Sequence, residues 1–488
     1  LQQHQAACHL QVQLQGFTEG GPDEPLQLDL EMARCLMLLQ QAEHQAQFSP
    51  WPVLAHTSRV ARAQLSQDPR LLAISLPLEI FFLHRYGPVE RCERRTREIE
   101  AIHADGNYTY NSPWIWMYRA RNALARGQVD QAERDLRHSL HNDANYINYR
   151  QDSLGQLVAI LLGRIAYLRG DMELALSHVG ALLSERPITM LEMLVGAHVD
   201  VAVCEFALGN VEHAQALLAA VRHQAEDDDL PLLGAMAGLT QIDLAARMGD
   251  RALLERLAAQ CPPADWWAQA SEPFALPWCV VEAAARAQHA VLRQAGDGRG
   301  ALAVAEAFLA LALRSGHQLA VLAAHLMAAT AEDDGATDPP RAAQLHLEQA
   351  LQLATSCGVV QPVLDAGVIA LNRLRQWLGP VSASPSVAAA SASASAPAEV
   401  RTWARRVLAT WEVQFRSRAQ RAAASTLTPR ELDVLGQLAQ QHSTKLIARA
   451  LMLSPETIKH HLKGIYAKLA VGSRDEAVAE ARRRALIP

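Results

Sequence analysis

The hydrophobic positions of the chain recur at helical spacing almost throughout, interrupted by short glycine-centred breaks. One unit repeats. A helix ends at a glycine, and a second helix opens on a polar residue and continues as an alanine-containing amphipathic run. Four copies stand out: ALARGQVDQAERDL (123–136), AYLRGDMELALSHV (166–179), FALGNVEHAQALL (206–218) and AARMGDRALLERL (245–257). Their turn glycines, Gly127, Gly170, Gly209 and Gly249, lie 43, 39 and 40 residues apart, and this period predicts an α-solenoid of helix pairs. Glycine accepts the left-handed conformation that ends a helix, and Asp171, Asn210 and Asp250 stand where the next helix needs an N-cap. Ala132, Ala175 and Ala214 are small enough to let paired helices approach closely. Weaker copies follow around Gly296–Leu311 and Gly335–Leu353, and residues 1–110 read as helical without an assignable repeat.

The pattern stops at Pro380–Pro397, PVSASPSVAAASASASAP, which has no charge, no aromatic and no apolar face to bury. It reads as a flexible tether. The expected organisation is a repeat domain over 1–379, a linker over 380–399, a basic connecting helix over 400–424 and a C-terminal domain over 425–488. The connecting segment, TWARRVLATWEVQFRSRAQRAA (402–423), carries Trp403, Val407, Trp411 and Phe415 at helical spacing and is expected to pack on a neighbouring domain.

The C-terminal segment parses into four helices. Thr428 is an N-cap with Pro429 at the first helical position and Glu431 closing a capping box. Leu432, Leu435, Leu438 and Ala439 make its buried stripe. Ser443 caps a second helix whose Ile447, Ala448 and Leu451 face inward, Ser454 caps a third with Pro455 behind it, and Ser473 with Glu476 caps a fourth running to about Ala485. The short link Met452–Ser454 makes helices two and three a helix-turn-helix. At 100° per residue, Ile458, Leu462, Ile465 and Leu469 share one face of the third helix. Glu456, Lys459, His460, Lys463 and Ala467 share the opposite face, with Thr457 and Gly464 to the side. An apolar back with a short polar and cationic front is what a recognition helix in a major groove requires. Lysines there neutralise phosphates or reach guanine acceptors. Thr457, at the positive end of the helix, is placed to bind a phosphate through its hydroxyl and backbone amides. Gly464 reads either as a close approach to the sugar–phosphate chain or as a neutral surface position, and Lys445 stands where the companion helix crosses the backbone. His460 and His461 are adjacent and cannot share one side of a helix, so a metal site from the pair is not expected.

The spaced pattern LTPRE…VL…LA…S…K.IA..L..S..TIK.HL..IY.KL.V.SR.EAV resembles the LuxR-type DNA-binding domain over about 61 residues, Leu427 to Ile487. It matches through Glu431, Ile447, Ala448, Thr457, Lys459, His461, Lys468, Leu469 and Arg474. The resemblance implies duplex binding as a dimer, often with the last helix as the dimer contact. The DNA-binding set on this reading is Lys445, Glu456, Thr457, Lys459, His460, Lys463, Gly464 and Arg474. The chain departs from the family pattern at Gln441 and His442, where a glycine commonly ends the first helix, at Leu446, where an acidic residue is usual, and at Ala470, often Gly. The region before the tether resembles the tetratricopeptide-like superhelices of MalT-like regulators, whose curvature gives a concave face suited to a protein partner or an effector.

Charge sharpens this division. Residues 401–488 hold 16 Lys+Arg against 7 Asp+Glu, a net of +9, while the rest of the chain holds 29 against 44, a net of −15. All four lysines, Lys445, Lys459, Lys463 and Lys468, fall within 24 residues. A basic end on an acidic body points to a polyanion partner at that end alone. The seven cysteines are scattered with no metal-ligand spacing, which favours reduced thiols and a cytoplasmic setting. Ala301–Leu313 is apolar but short and carries Glu306, so it reads as a buried helix and no membrane association is expected. The start, Leu1-Gln2-Gln3-His4, shows no signal-peptide pattern and lacks Met, which leaves open a fragment of a longer chain.

These readings converge on a DNA-binding transcription regulator, not an enzyme, with no cofactor and no metal. The expected partners are double-stranded promoter DNA, a second copy of the chain through the C-terminal domain, an effector or protein on the repeat domain, and RNA polymerase. Two alternatives stay open. One is an interaction scaffold. The other is a piece of a larger ATP-dependent, MalT-like regulator, since a phosphate-binding loop needs a Lys and none precedes Lys445. Trp114, Trp116 and Tyr118, and Trp266, Trp267, Phe274 and Trp278, serve either a ligand or the core, core packing being the more frequent role.

Overall fold

The computed structural model describes residues 69–106, 112–141, 153–179, 194–228, 230–259, 261, 277–331, 341–379, 397–425, 429–439, 442–451, 454–469, 471, 473–474 and 476–478. Among these residues every assigned element is a helix, as the all-α reading requires. The expectations on residues 1–68, Trp266, Trp267, Phe274, Gly335, the tether through 396 and Thr428 lie outside the described residues. Two compact units form, one from Leu1–Cys204 and Gln215–Leu408, the other from Glu205–Ala214 and Ala409–Pro488.

The helices come in sequential pairs. The first are α1 (Pro69–Tyr86) with α2 (Val89–Gly106), α3 (Ser112–Ala125) with α4 (Val129–His141), and α5 (Ser153–Arg169) with α6 (Met172–Val179). A π-helical turn, Val195–Asp200, runs into α7 (Val201–Leu208), followed by α8 (Val211–Asp227), α9 (Pro231–Met248) and α10 (Arg251–Ala258). Then come α11 (Trp278–Gln294), α12 (Gly298–Ser315), α13 (Gln318–Thr330), α14 (Arg341–Cys357), the short α15 (Gln361–Asp365) and α16 (Gly367–Leu378).

The turns have the chemistry their sequence requires. Gly127, Gly170, Gly209 and Gly249 all have positive φ, between 70° and 93°. The amide after each glycine donates back five residues, as Gln128 does to Ala123 (2.8 Å) and Asp171 to Ala166 (2.9 Å). That bond satisfies a carbonyl the helix end would leave open. Gly296, Gly316 and Gly358 repeat the device, the last two without standing out in the sequence. Asp171 and Asp250 accept from Leu174 (3.0 Å) and Leu253 (2.9 Å) as N-caps. Asn210 does not. Its amide donates instead to the Glu205 carboxylate, a charge-assisted bond stronger than a neutral cap. Ala132 and Ala175 are fully buried where α3 packs on α4 and α5 on α6.

The larger unit also closes on itself, which periodicity does not reveal. In a one-dimensional stack each repeat touches only its neighbours. Here α1 packs on α11, α3 on α13 and α5 on α15. The Val360 amide donates to the Leu168 carbonyl (2.8 Å), and Asp365 accepts from Tyr167 and pairs with Arg247 (2.8 Å). The aromatic residues divide between core and cavity: Tyr118 is buried, whereas Trp278 lies flat on His317 with ring centres 4.3 Å apart and lines a cavity between early and late helices.

The connecting helix, α17 (Ala398–Ser425), begins two residues before the expected boundary. Its Val400, Trp403, Ala404 and Val407 are buried, and residues through Leu408 belong to the larger unit. Among the described residues no helix is long and apolar enough to cross a membrane, and no group of His, Cys, Asp and Glu could hold a metal.

Candidate nucleic-acid interface

Three helices build the C-terminal site: α18 (Pro429–Ala439), α19 (Thr444–Ala450) and α20 (Pro455–Leu469). Their core is Val434, Leu435, Leu438, Ile447, Ala448, Ile458, Ile465 and Ala477, ringed by partly buried Leu451, Leu462, Tyr466, Val471 and Val478. Ile458 and Ile465 therefore fix the rotation of α20 about its own axis. The opposite side follows from that rotation: Glu456, Lys459, His460 and Lys463 are all exposed.

The N-terminus of α20 is set by Ser454, whose Oγ accepts from the Thr457 amide at 3.0 Å and lies 2.8 Å from the Thr457 hydroxyl. The Thr457 amide and hydroxyl thus both serve the helix cap. Lys459 pairs with Glu456 at 2.7 Å across one turn, an exposed pair worth a few tenths of a kcal/mol that a stronger anion displaces at little cost. Lys463 has no ion pair among the described residues. Lys445 is the second residue of α19, and its side chain lies outside the described residues. His460 and His461 have ring centres 6.5 Å apart and steeply inclined planes, as expected of neighbours pointing different ways.

Two residues of the expected DNA-binding set lie beside α18 and its C-terminal end. A Cβ on Gly464 would sit 2.9 Å from Glu431 Oε1, the end of a side chain from α18. Arg474 donates from Nη2 to the carbonyls of His442 (2.7 Å) and Leu438 (3.4 Å). It thereby satisfies the end of α18, where the expected glycine is missing. His442 completes that end through its amide to the Gln437 carbonyl (3.3 Å) and its ring to the Gln437 side chain (2.8 Å).

Glu431 is the residue whose role the sequence reading missed. It is buried and accepts from Lys468 Nζ at 2.6 Å, tying α18 to the end of α20. The signal was present: Glu431 stands four and seven residues before Leu435 and Leu438, on the buried stripe. Leu446, where an acid is usual, is 53% exposed, and α19 is capped from one side only, by Ser443 accepting from the Leu446 amide at 3.4 Å. The Glu476 amide donates to Ser473 Oγ at 3.3 Å, which starts the fourth helix. Beyond residue 478 that helix lies outside the described residues.

Residues 425–481 match the family described as "Bacterial regulatory proteins, luxR family". The chain is 44% identical over 70 residues to the "Probable transcriptional regulatory protein NarL" of Mycobacterium tuberculosis, covering 14% of this chain and 32% of that protein. It is 52% identical over 50 residues to the "Nitrate/nitrite response regulator protein NarP" of Escherichia coli, covering 10% and 23%. It is 44% identical over 59 residues to the "HTH-type transcriptional regulator MalT" of Yersinia pestis, covering 12% and 6%. The chain thus spans about a third or less of the length of these relatives. In residues 425–481 it carries a LuxR-family helix-turn-helix domain.

Proposed function

We propose that the chain is a transcription regulator that binds promoter DNA through the exposed face of α20. Its larger helical unit would receive an effector or protein partner that controls this binding. The observation that carries the reading is the division of α20: Ile458 and Ile465 have no exposed surface, while Glu456, Lys459, His460 and Lys463 face away from the core. A major groove admits a helix presenting such a side. Of the DNA-binding set read from the sequence, Lys459, His460 and Lys463 keep a base- or phosphate-contacting role, with Glu456 beside them, and Lys445 meets the backbone from α19. Gly464 and Arg474 act by supporting the domain, and Thr457 by capping the helix. The net +9 of the carboxyl end against −15 elsewhere favours duplex DNA approaching this domain.

A homodimer through the C-terminal domain would read two half-sites, about one helical turn or a multiple of it apart. Selection of bound duplexes from a random library by the full chain tests the reading. Enrichment of a paired motif with that spacing is the expected result, and recovery of no preferred sequence overturns it.

A further inference from the structure

A cleft of about 320 Å³ opens on the larger unit between α9, α11, α13 and the junction of α15 with α16. A cavity of roughly 150 Å³ holds benzene, so the cleft has room for a phosphate and a short carbon chain. Arg286, His289, Ala290 and Arg293 of α11 all line it, and their spacing puts them on one face of that helix. Two guanidiniums thus reach the cleft from a single helix. Arg286 donates from Nε (3.2 Å) and Nη2 (2.9 Å) to one oxygen of Glu282, while its Nη1 makes no hydrogen bond among the described residues. The carboxylates of the wall are already engaged. Arg247 pairs with Asp243 (2.6 Å) and Asp365 (2.8 Å), and Asp365 also accepts from Tyr167 and Gln361.

The start of α16 borders the same cleft through Gly367, Val368 and Ile369. No side chain caps that start, and the first amides of a helix have no partner within it. Open amides at the positive end of a helix favour an anion. His289 supplies an independent indication of a ligand. It is 5% exposed, and its Nε2 lies 2.9 Å from the Met327 carbonyl, so Nε2 carries the proton and Nδ1 the lone pair. Burial, and then Arg293, holds the ring neutral down to about 3. Its Nδ1 accepts from no described residue, although most buried polar groups are satisfied. The wall therefore offers one unmet acceptor beside a group of donors.

We propose that this cleft binds a small hydroxylated phosphate monoester, its phosphate between the α11 arginines and the start of α16 and a hydroxyl donating to His289 Nδ1. Donors converging from two arginines and a helix start suit the three outer oxygens of a tetrahedral phosphate better than the two of a planar carboxylate. The inference rests on the proposed receiving role of the larger unit and names the effector class for it.

The test is isothermal calorimetry of the full chain without DNA, so that its outcome is separate from duplex binding. Glycerol 3-phosphate is compared with glycerate, which carries a carboxylate in place of the phosphate, and with ethyl phosphate, which lacks the hydroxyls. Glycerol 3-phosphate is expected to bind at least about tenfold tighter than either, the size of one or two lost hydrogen bonds to such groups. Arg293→Gln, shown folded by far-UV circular dichroism, should bind glycerol 3-phosphate at least about tenfold more weakly than wild type. Wild-type affinity in that folded variant overturns the proposal. So does equal binding of glycerol 3-phosphate and either analogue, or no saturable heat with it, on the wild-type chain alone and whatever the variant does.

Discussion

The helical-repeat region and the LuxR-family domain finish their helices by different means. Between Gly127 and Gly358 the repeat region repeatedly uses a glycine at positive φ followed by an amide that reaches back five residues. The C-terminal domain has no positive-φ glycine among its described residues. It ends α18 with the Arg474 guanidinium and the His442–Gln437 pairing instead. The first device is written in backbone conformation and recurs wherever a glycine falls. The second depends on a side chain 32 residues away from the carbonyl it satisfies. One region is consequently specified locally, the other by interactions that exist only once the domain has closed.

The largest expected effect separates the regions by pH. His289, with its Nε2 on the Met327 carbonyl (2.9 Å), is held down to about 3 by burial and then by Arg293. His317 is held down to about 4 by burial, with Glu282 opposing. Both rings stay neutral in the folded chain, whereas the unfolded chain takes up protons below about pH 6.5. Stability of the larger unit is therefore lost as pH falls from about 6.5 toward 4. The loss is about 2 kcal/mol per ring by pH 5 at 1.36 kcal/mol per unit. Urea unfolding at pH 7 and pH 5 checks it. An unchanged midpoint contradicts the burial of these rings.

Next in size is a pair of glycines. A Cβ on Gly127 would lie 2.4 Å from Cys357 Sγ, whereas nothing lies within 4 Å of one on Gly249. Gly127→Ala should cost about 2–4 kcal/mol, combining left-handed strain with overpacking, and Gly249→Ala about 1 kcal/mol from strain alone. Equal destabilisation in thermal unfolding would mean that the return of α14 onto the α3–α4 turn contributes nothing.

Arg474→Met should cost about 1–3 kcal/mol by leaving the α18 carbonyls without their donor, read as a lower melting temperature of the C-terminal domain. The smallest change is a gain. Leu446→Glu supplies the carboxylate missing from the start of α19 and should stabilise the domain by about 0.5–1 kcal/mol. A lower melting temperature would show that exposed Leu446 is engaged in an unrecognised interaction.

Residue spacing made several features legible. The roughly 40-residue period predicted the glycine turns, and the 100° rotation of α20 separated Ile458 and Ile465 from Lys459 and Lys463. Long-range packing was not legible. The packing of α11, α13 and α15 on α1, α3 and α5 joins residues some 200 positions apart, as Tyr167 and Asp365 are, and no local pattern encodes it. Arg474 and Gly464 escape a sequence reading for the same reason. Each is polar or small at a helix surface in sequence, and only the fold brings the His442 carbonyl to one and Glu431 to the other. Thr457 is ambiguous at short range, because a cap and a phosphate compete for the same amide and hydroxyl.

The most direct test of the proposed DNA-reading face is the salt dependence of duplex binding by the full chain, by Lys459→Ala with Lys463→Ala, and by Arg474→Met. Each phosphate that a variant no longer neutralises should lower the slope of log K against log salt by about 1. A lysine face on the duplex predicts weaker binding by the double variant, with a slope reduced by up to about 2. Folded Arg474→Met should keep the wild-type slope. A double variant that matches wild type at every salt concentration, or an Arg474→Met slope that falls in its place, contradicts it.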